Sequence, residues 1–156
     1  MHKYPYLPEG RVIKYVPDTN SFMAVAKRMR DQISTDMSHS TGAVIVSQGE
    51  IIVYAANRAT VGNKTIQELH KNGLCLRKAF KIPSGQKYWI CPGCARDYNH
   101  SESVAAKRLI KLGKRDDADI YLYGHWWCCK RCWDRMIEAG IRDVYLVDGA
   151  DELFKR

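Results

Sequence analysis

Two short stretches carry residue types suited to chemistry: His100-Ser101-Glu102 and Cys129-Lys130-Arg131-Cys132. Neutral imidazole nitrogen and cysteine thiolate both bind zinc readily. A catalytic zinc keeps three protein ligands and leaves its fourth position for water. His100, Cys129 and Cys132 supply those three ligands. Glu102 follows His100 too closely to act comfortably as a fourth ligand. It is well placed to take a proton from metal-activated water and pass it to a leaving group. Each residue also has a plainer reading. Asn99 and Glu102 stand at capping-box spacing. His100 would suit an exposed loop, and Cys129 with Cys132 would suit half of a structural metal site. The combination at this spacing favours a hydrolytic zinc site.

A second group lies upstream. Cys75, Cys91 and Cys94 sit in a stretch with little regular patterning, and Cys91-Pro92-Gly93-Cys94 has the form of a zinc knuckle. With a histidine these cysteines would make a closed, structural zinc site. His70, His2 and His39 compete for the fourth position, with His70 preferred. Free loop thiols are the alternative. Long irregular segments in compact domains are usually functional or pinned, and a metal would be the pin.

These residues must be held by the surrounding elements. Phe22, Val25, Ala26, Met29 and Ile33 recur at helical spacing over 21–33, behind Asn20 or Ser21 as N-cap. Two β-branched runs, 42–47 and 50–56, flank Gln48-Gly49 and read as a β-hairpin covered on both faces. Residues 1–18 form an extended arm. Residues 60–98 form an insert with a turn or two of helix over 65–70 and a short strand at Tyr88-Trp89-Ile90. A helix opens at Asn99 or Ser101 and ends at Gly113. A strand over 119–123 follows, then a helix over 129–139 burying Trp133, Met136 and Ile137, and a strand over 144–147. This alternation predicts parallel pairing and a three-layer α/β/α domain spanning 1–156, with a mixed central sheet between helices.

The chain has 156 residues, 46% of them hydrophobic and 27% charged, enough for one domain with its own core. No apolar run approaches the ~20 residues of a membrane span, and no apolar leader follows Met1, so a cytoplasmic protein with no membrane partner is expected. In that reducing compartment six cysteines read as metal ligands rather than disulfides. A net charge of +8 favours anionic partners, nucleotides or nucleic acid, although Lys27, Arg28, Arg30, Lys107, Lys111 and Lys114 also fit solvated helix faces.

The two stretches match the zinc deaminase signature, His-x-Glu followed by Cys-x-x-Cys. The chain resembles the cytidine deaminase superfamily, and within it the deoxycytidylate (dCMP) deaminase family. Gly42-Ala43-Val44-Ile45-Val46 with Ala56-Asn57 resembles the first hairpin and a substrate-contacting asparagine. Cys75-Leu76-Arg77 with Pro83-Ser84-Gly85, Tyr88 and Cys91 resembles the insert of many bacterial and phage members. His100-Ser101-Glu102 stands where the family has His-Ala-Glu, and Ala118 to Ile141 resembles the second zinc segment.

The resemblance implies hydrolysis of dCMP to dUMP and ammonia by zinc-activated water, with Glu102 shuttling protons and Asn57 contacting the sugar. It also implies a homo-oligomer. Arg58 and Arg77 are candidates for the phosphate; Tyr123, Trp126 and Trp127 could wall the base or pack in the core. Cys128 replaces the usual proline and is an alternate ligand or spare thiol. Asn57-Arg58 replaces Asn-Gly in a region tied to triphosphate regulation. The superfamily's fifth strand is expected to be missing, leaving four core strands, with the last edge covered by the arm or a partner subunit. Two rival readings remain: a deaminase of another cytosine or adenine nucleoside or of a polynucleotide, and a non-catalytic zinc module that binds nucleic acid.

Overall fold

The computed structural model describes residues 3–155. Helix α1 (Ser21–Ile33) starts where the sequence predicts. The Asn20 carboxamide oxygen accepts the Phe22 and Met23 N–H groups, both at 3.1 Å, which satisfies two donors the helix cannot. Met23 and Ala26 are buried, whereas Ile33 in the last turn is exposed.

Strands β2 (Gly42–Ser47) and β3 (Glu50–Ala56) form the hairpin. Gln48 and Gly49 both take positive φ, 52° and 79°, the twist that two-residue hairpin loops favour. On its other side β2 pairs antiparallel with β4 (Ala118–Tyr123), and β4 pairs parallel with β5 (Ile141–Val147). The sheet does not stop at four strands. Residues Ile13–Val16 form β1, parallel to β5, and the order is β1-β5-β4-β2-β3. The missing-strand expectation is therefore corrected: the N-terminal arm covers the edge by becoming a strand. β5 would otherwise present unpaired N–H and C=O groups. Arg11 reinforces the pairing by donating to the carbonyls of Ile141 and Arg142 at 3.1 and 3.0 Å.

Strand alternation divides the sheet into two faces. Val44 and Tyr121 are paired, and the Phe22 ring packs 5.2 Å from that of Tyr121, so this face lies under α1. The contact is close. A Cβ on Gly42 would fall 2.2 Å from the Ala26 carbonyl oxygen and 2.3 Å from the Arg30 nitrogen. The other face carries Ala43, Ile45, Ile120, Leu122, Val144 and Leu146. Helices α4 (Ser101–Lys111) and α5 (Lys130–Glu138) complete the core with Leu109, Trp133 and Met136. Ile137, expected inside, is 39% exposed. Helix α6 (Ala150–Phe154) sets Phe154 against Tyr123.

The insert holds α2 (Lys64–Lys71), the single turn α3 (Leu76–Ala79) and two 3₁₀ turns, Tyr88–Ile90 and Asp97–Asn99. Tyr88–Ile90 is thus not a strand. Lys87 reverses the chain in the left-handed region (φ 48°), and the Tyr88 ring turns inward between Arg77 and His100. No helix among the described residues is long and apolar enough to cross a membrane.

Candidate active site

His100 and Cys129 are the N-cap residues of α4 and α5, both in extended backbone and neither making a side-chain cap bond. The Asn99–Glu102 capping box does not form. The two helices pack on one another, which brings their first turns together. His100 Nδ1 lies 3.4 Å from Cys132 Sγ and 3.7 Å from Cys129 Sγ, and the sulfurs are 3.1 Å apart. Zn–S near 2.3 Å and Zn–N near 2.0–2.1 Å put the corners of a tetrahedron about 3.4–3.8 Å apart. The two nitrogen–sulfur edges fall inside that range, while the sulfur pair is about 0.7 Å closer than two zinc-bound thiolates stand, so the thiolates would part slightly on taking a metal. The donor set and its spacing fit zinc with a fourth position to spare. Cys128 is fully buried but lies outside this ligand cluster; burial, with Glu102 nearby, pushes its thiol well above the usual range.

The electrostatics suit metal capture. A hydrogen bond with Cys132, aided by His100, pushes the Cys129 thiol down to about 4 against the effect of burial. The first-turn N–H groups of α5 add positive potential. Cys132 is held well above the usual thiol range by its bond with Cys129 and by burial, so a bound metal would have to displace its proton.

Glu102 is only 5% exposed. One carboxylate oxygen accepts the Ser101 hydroxyl at 3.1 Å, and that hydroxyl lies 2.8 Å from Thr41 Oγ1. Burial raises the Glu102 pKa although His100 opposes the shift. A raised carboxyl pKa suits a group that both takes and returns a proton.

A cavity of about 190 Å³ opens over these groups. Glu102, Asn57, Trp127, Tyr88 and Arg77 contribute to its wall. Tyr88 and His100 make a T-shaped pair with ring centroids 4.6 Å apart. The Trp127 indole N–H is buried without a hydrogen-bond partner in the protein. The other aromatic candidates lie elsewhere: Tyr123 sits 4.7 Å beneath the Arg30 guanidinium, and Trp126 stacks on Tyr4. Asn57 is mostly committed to the fold. Its carbonyl oxygen accepts Ser34 Oγ at 2.5 Å and Thr41 N at 2.9 Å, and its NH₂ donates to His39 O at 2.7 Å. One amide N–H remains. Arg58 is exposed and lines a different groove with Lys107, Arg108 and Lys111.

A family model for the cytidine and deoxycytidylate deaminase zinc-binding region matches residues 17–148. The chain belongs to that family. No curated protein matches it. Membership makes this a zinc-dependent hydrolytic deaminase domain of the cytidine deaminase-like fold.

The deaminase carries a second cluster. His70, Cys75, Cys91 and Cys94 are all buried, and one potential ligand atom from each lies within 4.8 Å of the others. Cys94 Sγ is 3.6 Å from Cys75 Sγ and 3.4 Å from His70 Nε2. Of the competing histidines, the last turn of α2 delivers His70; His39 lines the cavity, and His2 lies outside the described residues. His70 Nδ1 lies 3.5 Å from Asp36 Oδ1 but makes no hydrogen bond to it; a small rotation of the ring would let Asp36 orient it as carboxylates orient ligating imidazoles. Backbone N–H groups of Leu76, Gly93 and Cys94 reach Cys91 and hold its thiol below the usual range despite burial. Nothing in the sequence singles out Asp36 or Thr41, and Tyr88 stands out only as part of the insert resemblance.

Proposed function

We propose that this deaminase converts dCMP and water to dUMP and ammonia. The observation that supports it best is one cavity holding a buried, proton-accepting Glu102 beside three ligand atoms close enough to share one metal ion. Zinc held by His100, Cys129 and Cys132 would acidify water and polarise it for attack at C4 of the pyrimidine. Glu102 takes the proton of the attacking water and returns it to the departing amine, with Ser101 fixing the carboxylate. Tyr88 and Trp127 flank the base and exclude bulk water. The remaining Asn57 N–H meets a sugar hydroxyl. His70, Cys75, Cys91 and Cys94 hold a second, structural zinc. The insert's resemblance to that of dCMP deaminases supports a mononucleotide, and homo-oligomerisation in the cytoplasm accompanies this reading.

The net charge of +8 and the basic groove of Arg58, Lys107, Arg108 and Lys111 favour a second reading, deamination within a polynucleotide. Turnover of dCMP, cytidine, deoxycytidine and single-stranded oligonucleotides by zinc-loaded protein separates the two. Absence of dCMP turnover defeats the first reading. Glu102→Gln is expected to lower turnover by about 10²–10⁴-fold with metal content unchanged. A variant of near-normal activity would remove Glu102 from the proton transfer.

A further inference from the structure

We propose that Arg77 reads the 5′-phosphate of a pyrimidine nucleoside monophosphate, and that the second metal cluster serves to hold Arg77 in place. The inference rests on the deaminase reading above.

Arg77 is 7% exposed and lines the cavity. Its Nε donates to Gln86 O at 3.0 Å and its Nη2 to Pro83 O at 2.9 Å, and the guanidinium lies 4.3 Å over the Tyr88 ring. Only two of five N–H donors are used, and both meet neutral carbonyls. Among the described residues, no carboxylate forms an ion pair with Arg77. A buried cation left so is costly until an anion arrives.

The acids of the same cavity are occupied. Asp36 accepts the N–H groups of Ser38, His39 and Ala95. Glu102 lies with the ligand cluster. A phosphate offers paired oxygens that match the guanidinium fork, and Lys78 adds a second cation to the same wall. Tyr88 carries Arg77 over one face and makes a T-shaped contact with His100. The cation and the ligand cluster therefore occupy different parts of one cavity, as the two ends of a nucleotide require.

Arg77 sits on α3, a helix of four residues, too short to be stable alone. Its N-cap is Cys75, which makes no side-chain cap bond. The Leu76 N–H reaches the Cys91 sulfur instead. The insert has no apolar centre besides Cys75, Cys91 and Cys94, while Leu74, Leu76 and Phe80 are exposed. Cross-linking at the cluster does for α3 what a core would otherwise do.

The test compares kcat/KM for dCMP and deoxycytidine, and inhibition by inorganic phosphate, in wild type, Arg77→Lys, Arg77→Gln and Cys91→Ser. Metal content and circular dichroism are recorded for each. Losing a hydrogen-bonded charge contact corresponds to about 10- to 150-fold, so Arg77→Gln should lower the dCMP/deoxycytidine ratio by that factor, through KM. Inorganic phosphate should compete with dCMP in wild type and not in Arg77→Gln. Arg77→Lys keeps the charge without the fork and should fall between; it carries the test if Arg77→Gln unfolds. Cys91→Ser should lose one metal and shift the ratio in the same direction. Equal losses on both substrates, or phosphate inhibition unchanged in Arg77→Gln, overturn the proposal. Should wild type turn over neither substrate, the deaminase reading fails; calorimetric titration of wild type and Arg77→Gln with inorganic phosphate then decides the Arg77 site by itself.

Discussion

Gly93→Ala tests whether the second cluster is a tightly built metal site. A Cβ at this position would lie 2.6 Å from His70 Cγ and 2.8 Å from both Cβ and Cδ2 of that residue. Carbon atoms in contact settle near 3.5–4.0 Å, so about 1 Å must be opened. The ring has nowhere to go. It is 1% exposed, with Asp36 Oδ1 at 3.5 Å from Nδ1 and Cys94 Sγ at 3.4 Å from Nε2. Metal–ligand distances tolerate only about 0.2 Å, so the displaced imidazole leaves the ligand set. Overpacking costs about 1–3 kcal/mol, which in a domain of this size lowers Tm by roughly 2–12 °C. Differential scanning fluorimetry and elemental analysis read the two effects together: the melting point falls and zinc per chain drops from two toward one. Gly62→Ala is the control, since nothing lies within 4 Å of its Cβ position. A Gly93→Ala protein that melts within about 1 °C of wild type and keeps both metals would refute the reasoning.

Two further outcomes are expected. Gly42→Ala drives a methyl into the backbone of α1 at Ala26 and Arg30 and should destabilise by at least about 1–3 kcal/mol; a wild-type chemical denaturation midpoint would show that α1 can retreat freely. Asp97 bridges Arg135 at 3.1 Å and Arg131 at 3.3 Å. Burial alone would raise its carboxyl, but these bonds outweigh it and hold the pKa below the usual carboxylate value. The group therefore stabilises the fold above about pH 4 and loses that contribution as acid protonates the folded state. Thermal unfolding of wild type and Asp97→Asn should show a gap that is constant near neutrality and closes below about pH 4. A gap that widens in acid contradicts the assignment.

What was legible in the sequence is what local periodicity and ligand spacing encode. Helix α1, the β2–β3 hairpin and the α4 and α5 starts all announce themselves through apolar stripes, a turn dipeptide or a cap. Ile33 and Ile137 show the limit of that reading: both belong to apolar stripes, yet both remain exposed at the ends of their helices. Ile13–Val16 carries no strand pattern strong enough to stand alone, since its pairing comes from the β5 edge. Tyr88–Ile90 has strand-forming residues, but no strand lies beside it and Arg77 and His100 claim the Tyr88 ring. At the site, His100, Glu102, Cys129 and Cys132 stand out by spacing. Asp36 and the Thr41–Ser101 contact are through-space partners, invisible until the chain is folded, and Tyr88, though part of the insert resemblance, shows its place between Arg77 and His100 only there. The choice of Arg77 over Arg58 for the cavity is of the same kind.

The pairing of β1 with β5 has a consequence for the order of events during synthesis. Arg11, just before β1, bonds to Ile141 across 130 residues of chain. At about 5–20 residues per second, β1 emerges on the order of ten seconds before its partner exists. The hairpin and α1 can form early from local contacts, but the sheet closes only when the last strand arrives. Until then Ile13–Val16 is an apolar-containing segment with no native place, open to chaperone capture or to pairing with another chain. Closing so long a loop is entropically slow, so pairing of β1 with β5 is expected among the last steps of folding. A charge introduced at Ile13 would then affect yield from a translating system more than the unfolding rate of finished protein.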